Sequence, residues 1–87
     1  MKISPELVGE AILGELRVRL ARLRRQRDLM QAELASEAGV SKRTVERLEK
    51  SDATQLVNLV RVCRVLGLVE GFDVLIPEPM PSPVAQQ

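Results

Sequence analysis

Three basic side chains, Arg43, Arg47 and Lys50, stand at positions i, i+4 and i+7 of one short stretch. On a helix that spacing puts them on one face, with Val45 and Leu48 on the opposite one. A guanidinium carries parallel N–H donors in a fixed fork, which suits a phosphate or the O6 and N7 edge of guanine. The chemistry on offer is recognition of anions and polar edges, not bond making. The rest of the chain agrees. It has no His, so the commonest acid–base group near neutral pH is absent. Its single cysteine, Cys63, makes no internal disulfide and no zinc site alone. There is no glycine-rich phosphate loop and no nucleophile beside a base. An enzyme is not expected, and neither a cofactor nor a metal is implied.

The net charge is only +1, but it is unevenly placed. Residues 17–50 hold ten Lys/Arg and five Asp/Glu, a local net of +5, while the remainder hold three and seven, a net of −4. That asymmetry points to an anionic partner on one face. Apolar residues make up 45% of the 87 and are almost all aliphatic, with Phe72 the sole aromatic. Such a composition predicts one small all-α domain, compact and built of four to five helices. No secretory leader and no membrane-spanning run is visible, so a soluble cytoplasmic protein with no membrane partner is expected.

The elements that must position the basic face can be read from local signals. Ser4-Pro5-Glu6 has the form of a helix start. Leu13, Leu16, Leu20 and Leu23 then make one apolar stripe. Gly9 and Gly14 weaken the early part, which predicts a leading helix near 5–12, a break near Gly14 and a firm helix near 14–26. Among the arginines at 22–27 a solvated face is expected, with Arg24 or Arg25 in reach of a phosphate. A second helix should run from about Gln31 to Ala38, with Leu34, Ala35 and Ala38 inward. Gly39 suits a C-terminal cap of positive φ, and Ser41 an N-cap for a third helix over about Lys42 to Lys50. Two short helices joined so tightly must cross steeply, the helix–turn–helix plan. After a polar loop at "SDAT", a fourth helix over about Gln55 to Leu66 should turn Leu56, Leu59, Val60, Cys63 and Leu66 inward. Cys63 reads as a small core residue. Residues 68–76 fit either a short helix or a short strand, and "PEPMPSP" an extended tail. The division is thus 1–13 leading segment, 14–68 helix–turn–helix domain, 69–76 candidate dimerisation segment and 77–87 proline-rich flexible tail.

"QAELASEAGVSKRTVERLEK" and the "LVNLVRVCRVLGL" that follows it resemble the phage-repressor-like helix–turn–helix family, the Xre or Cro/CI family, over about residues 15–68. The ends, "AILGELRVRLARLRRQRDLM" and "LIPEPMPSPV", further resemble small HipB-type antitoxin regulators encoded beside HipA-like kinases. Met30 departs from the pattern, since many relatives cap the second helix there with Ser or Thr; Asp28 is the candidate substitute. The resemblance implies double-stranded DNA as partner, with the third helix in the major groove. It places Gln31 on a phosphate or neighbouring base, and Lys42, Arg43, Thr44 and Arg47 facing DNA. Lys42 and Thr44 then suit a phosphate or a thymine methyl, and Glu46 either pairs with Arg43, Arg47 or Lys50 or accepts from a cytosine amine. It also implies a homodimer on two half-sites about 34 Å apart. Val57, Val62 and Val65, with residues 68–76, are the candidate dimer surface. The leading expectation is a dimeric repressor of its own operon. The alternatives are an antitoxin that restrains a toxin partner, and a protein-interaction module without DNA binding.

Overall fold

The computed structural model describes residues 1–50 and 53–81, and over them the chain is all helical. Five helices follow in order: α1 Gly9–Gln26, α2 Gln31–Ala38, α3 Lys42–Glu49, α4 Leu56–Val65 and α5 Val69–Leu75. The core is small. Leu34, Ala35, Val45, Leu48, Val62 and Leu66 are buried together, and Leu20, Leu23, Leu29 and Leu59 pack around them. Leu34 and Val45 are the largest side chains fully withdrawn from water. The short second and third helices therefore hold the centre, with α1 and α4 as flanking supports.

The start of the chain differs from expectation. Ser4-Pro5-Glu6 closes a single turn, with the Leu7 amide bonded to the Ser4 carbonyl at 3.2 Å, and does not open a helix. The Ser4 hydroxyl bonds the Glu6 carboxyl, holding it below the ordinary carboxylate range, so it is not spent on a helix cap. α1 begins instead at Gly9, and it runs unbroken through Gly14. Glycine weakens a helix by about 1 kcal/mol without barring it. The i,i+4 pair of Glu15 and Arg19, 3.0 Å apart, supports the same turn. Its hydrogen bond from Arg19 keeps Glu15 below the usual carboxylate range.

α1, α2 and α4 end in the same way. The residue after the positive-φ position of each bonds back to the carbonyl five residues earlier: Leu29 to Arg24, Val40 to Ala35 and Leu68 to Cys63. This termination needs one residue with positive φ. Gly39 (φ 71°) and Gly67 (φ 73°) supply it as their type predicts, while α1 uses Asp28 (φ 56°). Asp tolerates this region better than most side chains.

The fourth helix is rotated relative to its expected face. Leu56 is 80% exposed and Val60 lies at the surface, whereas Val62, assigned to an outer dimer surface, is 2% exposed. Val65 also packs on the core. Leu56, Leu59, Val60, Cys63 and Leu66 make an i, i+3, i+4, i+7, i+10 stripe, but so do Leu59, Val62, Cys63 and Leu66. Packing against α2 selects the second set. Residues 69–75 resolve as helix rather than strand, with no buried side chain. Of the "SDAT" loop, Ser51 and Asp52 lie outside the described residues, as do residues 82–87 of the tail.

Candidate nucleic-acid interface

Ser41 starts the third helix as its type predicts. Its hydroxyl oxygen accepts the Thr44 amide at 3.1 Å. From there, α3 divides into two faces. Val45 and Leu48 point into the core. Lys42, Arg43 and Lys50 are exposed, and Thr44, Glu46 and Arg47 are half-buried. Arg43, Glu46, Arg47 and Lys50 together line a shallow surface depression. The structure thus brings four of the five candidate residues, Lys42, Arg43, Thr44 and Arg47, onto one short helix. Thr44 is constrained within it, because its hydroxyl lies 3.0 Å from that of Ser41. Its methyl group and the rest of its hydroxyl's bonding capacity are left to offer.

The fifth candidate, Gln31, opens α2 and is half-buried. Its side-chain N–H₂ donates to Glu49 Oε1 at 3.0 Å. A carboxylate only accepts, so this contact fixes the amide orientation: one N–H is engaged, while the second N–H and the carbonyl oxygen remain to be presented. Glu49 does more than hold Gln31. Arg24 Nε donates to Glu49 Oε2 at 2.7 Å and Arg24 Nη2 to Oε1 at 3.1 Å, a two-pronged ion pair. Arg24 Nη1 also donates to the Leu29 carbonyl at 2.8 Å. Arg24 is buried, so it does not belong to a solvated face and is not placed to meet phosphate. The reason is the acceptor supply: three oxygens lie around one guanidinium, enough to replace its water.

Other arginines of the basic run are also engaged. Arg27 donates to the Val65 carbonyl at 3.2 Å and closes the C-terminus of α4. A Cβ at Gly67 would stand 2.9 Å from Arg27 Nη2, the movable end of a long side chain, so what calls for glycine here is the φ of 73°. Arg19 holds Glu15 and the Met1 carbonyl. Arg22 and Arg25 are exposed.

Two roles escaped the sequence reading. Glu33, not Asp28, compensates for the missing cap at Met30: its carboxylate accepts the Met30 amide at 2.8 Å. A Glu three residues after the cap is half of a capping box and was visible as such. Glu49 marked the end of a motif, but its pairing with Arg24 left no local trace. Among the described residues no three His, Cys, Asp or Glu side chains gather to hold a metal ion. No described helix is long and apolar enough to cross a membrane.

No curated protein matches the chain. Residues 15–71, more than half of the sequence, match the family model of a helix-turn-helix domain. That span takes in the α2–Gly39–α3 unit and both flanking supports, and the chain belongs to the helix-turn-helix domain family, whose members are DNA-binding modules.

Proposed function

We propose that this chain is a sequence-specific transcriptional regulator of the phage-repressor-like kind, a homodimer that represses its own operon by reading a two-fold symmetric operator with α3. The observation that carries the reading is the division of α3: core anchors at Val45 and Leu48 on one side, exposed bases at Lys42, Arg43 and Lys50 on the other. A surface that only bound protein has no need of such a concentration of cations on the helix that the fold presents. Arg43 and Arg47 are assigned to guanine edges, each by two parallel hydrogen bonds. Lys42 takes a phosphate, and the Thr44 methyl group a thymine methyl. Gln31 offers its remaining N–H to the DNA backbone, where the amide groups at the start of α2 add favourable charge.

The test is selection of bound sequences from random duplex DNA, followed by titration at several salt concentrations. An inverted repeat with half-sites about 34 Å apart is expected. Log affinity should fall against log salt by roughly 0.9 for each phosphate neutralised. No enriched sequence, or a slope near zero, overturns the proposal.

A further inference from the structure

Two apolar surfaces of this chain face water, and neither belongs to the candidate interface. The first is a groove of about 350 Å³ between the middle of α1 and the start of α4. Leu13, Leu16 and Leu20 line it from α1, Leu56 and Leu59 from α4, and Arg17 stands among them. The second is the end of α5 with the residues just beyond it. Val74, Ile76 and Met80 are each more than three-quarters exposed, with Leu75 exposed beside them. Large apolar side chains grouped in this way mark contact surfaces more often than free ones.

The two surfaces also differ in charge. Residues 69–80 hold Glu70, Asp73 and Glu78 and no Lys or Arg. Arg17 is the one charged side chain lining the groove, and Glu78 is the one charged side chain of residues 74–80, so the two surfaces carry opposite charge where they would meet. Pro77 and Pro79 keep the stretch beyond α5 extended and remove two backbone donors that would otherwise resist burial in an apolar groove. The groove lies at the start of α4, and the donor segment follows α5, which comes after the other end of α4.

We propose that the groove of one chain receives residues 74–80 of a second copy, and that the exchange is reciprocal. Two surfaces that complement each other on one chain close into a two-fold dimer when each copy gives and receives. The inference rests on the dimeric reading above and assigns it a surface. It replaces the valine face of α4, from which the core takes Val62 and Val65. The groove shares no lining residue with the depression on α3, so the dimer leaves that face open.

Sedimentation velocity on the full chain tests this. A dimer is expected, with Leu16→Glu and Ile76→Glu each raising its dissociation constant by about tenfold or more. Circular dichroism melts like the wild type's keep loss of fold from being mistaken for loss of contact, and Leu75→Glu is a second donor-side variant. A direct reading comes from disulfide trapping in a Cys63→Ala background. Chains carrying Leu16→Cys, mixed with chains carrying Ile76→Cys, should give a covalent mixed dimer that neither forms alone. A dimer indifferent to all three glutamates, a monomer at every concentration, or mixed Leu16→Cys and Ile76→Cys chains that give no covalent mixed dimer each overturns the proposal. Binding to a single DNA half-site is measured apart. A chain that dimerises this way yet ignores DNA sinks the DNA reading alone; a monomer that binds a half-site sinks the dimer alone.

Discussion

Removing Glu49 should be the most damaging polar substitution in the molecule. Its side chain is 7% exposed and that of Arg24 is 11% exposed, so the pair has left most of its water behind. Glu49→Ala abandons the Arg24 guanidinium next to the core with one carbonyl partner, the Leu29 oxygen. It also releases the Gln31 amide. Breaking one partner of a buried pair costs about 3–5 kcal/mol. Domains hold about 0.05–0.15 kcal/mol per residue, so about 4–13 kcal/mol is available to a chain of this size and the loss is a large share of it. Arg24→Met combined with Glu49→Leu removes both charges and keeps volume, and should return to within about 2 kcal/mol of wild type. The assay is urea unfolding followed by circular dichroism over wild type, Arg24→Met, Glu49→Leu and the double variant, with Glu49→Ala beside them. The single losses should exceed the double by a wide margin, giving a coupling of at least about 2 kcal/mol. They should change little between about 0.05 M and 0.5 M salt, because a buried pair is poorly screened. Additive effects, or single variants within about 0.5 kcal/mol of wild type, would show that the pair is an ordinary surface contact and refute the reasoning.

Leu48→Ala should lower stability by about 2–5 kcal/mol, since Leu48 anchors α3 in the core; an unchanged thermal melt would mean the helix is the other way round. Gly39→Ala should cost about 1–2 kcal/mol and Gly39→Asn less, although a Cβ there meets nothing within 4 Å, because the cost lies wholly in the φ of 71°; equal urea midpoints for all three would contradict this. Burial raises the Cys63 thiol pKa, so labelling with a thiol reagent in native buffer should be more than about a hundredfold slower than in denaturant. The same shift gives a sign for pH: the unfolded thiol ionises first, so this contribution is complete below the unfolded value of about 8.5 and is lost as pH rises through the folded value. Arg43→Ala and Arg47→Ala should each keep the fold and relax one base position of the selected site, by about 1–3 kcal/mol, while Arg22→Ala weakens all sequences alike or none; a competition assay over single-base variants decides.

How much could be read from the sequence followed from how local each cause is. Gly39 and Ser41 were legible because positive φ and amide capping act within three residues of their source. Val45 and Leu48 were legible because α3 is apolar on one narrow side only, which leaves one way to bury it. The fourth helix offered no such contrast. Leu56, Val57, Leu59, Val60, Val62 and Val65 surround its axis, two stripes fit the same period, and only the position of α2 chooses between them. α1 misled for a related reason: the Ser4-Pro5-Glu6 signal is genuine turn chemistry, but it closes one turn and stops. The Arg24–Glu49 pair spans 25 residues and has no periodic trace.

That pair bears on function through geometry. α2 and α3 are eight residues each, about 12 Å long. At one end the Gly39 turn joins the C-terminus of α2 to the N-terminus of α3. At the other, Gln31 at the start of α2 meets Glu49 at the end of α3 at 3.0 Å. The two helices are therefore tied at both ends, and Arg24 fastens the second tie to α1. A turn alone leaves an angle free to open; a turn and a far-end clamp together set it. The angle decides where Arg43 and Arg47 stand relative to whatever Gln31 touches. Glu49, to which the proposal assigns no DNA contact of its own, would then govern the register between Gln31 and the two arginines. Loss of that carboxylate should blur discrimination at every base position at once, whereas loss of either arginine should blur one.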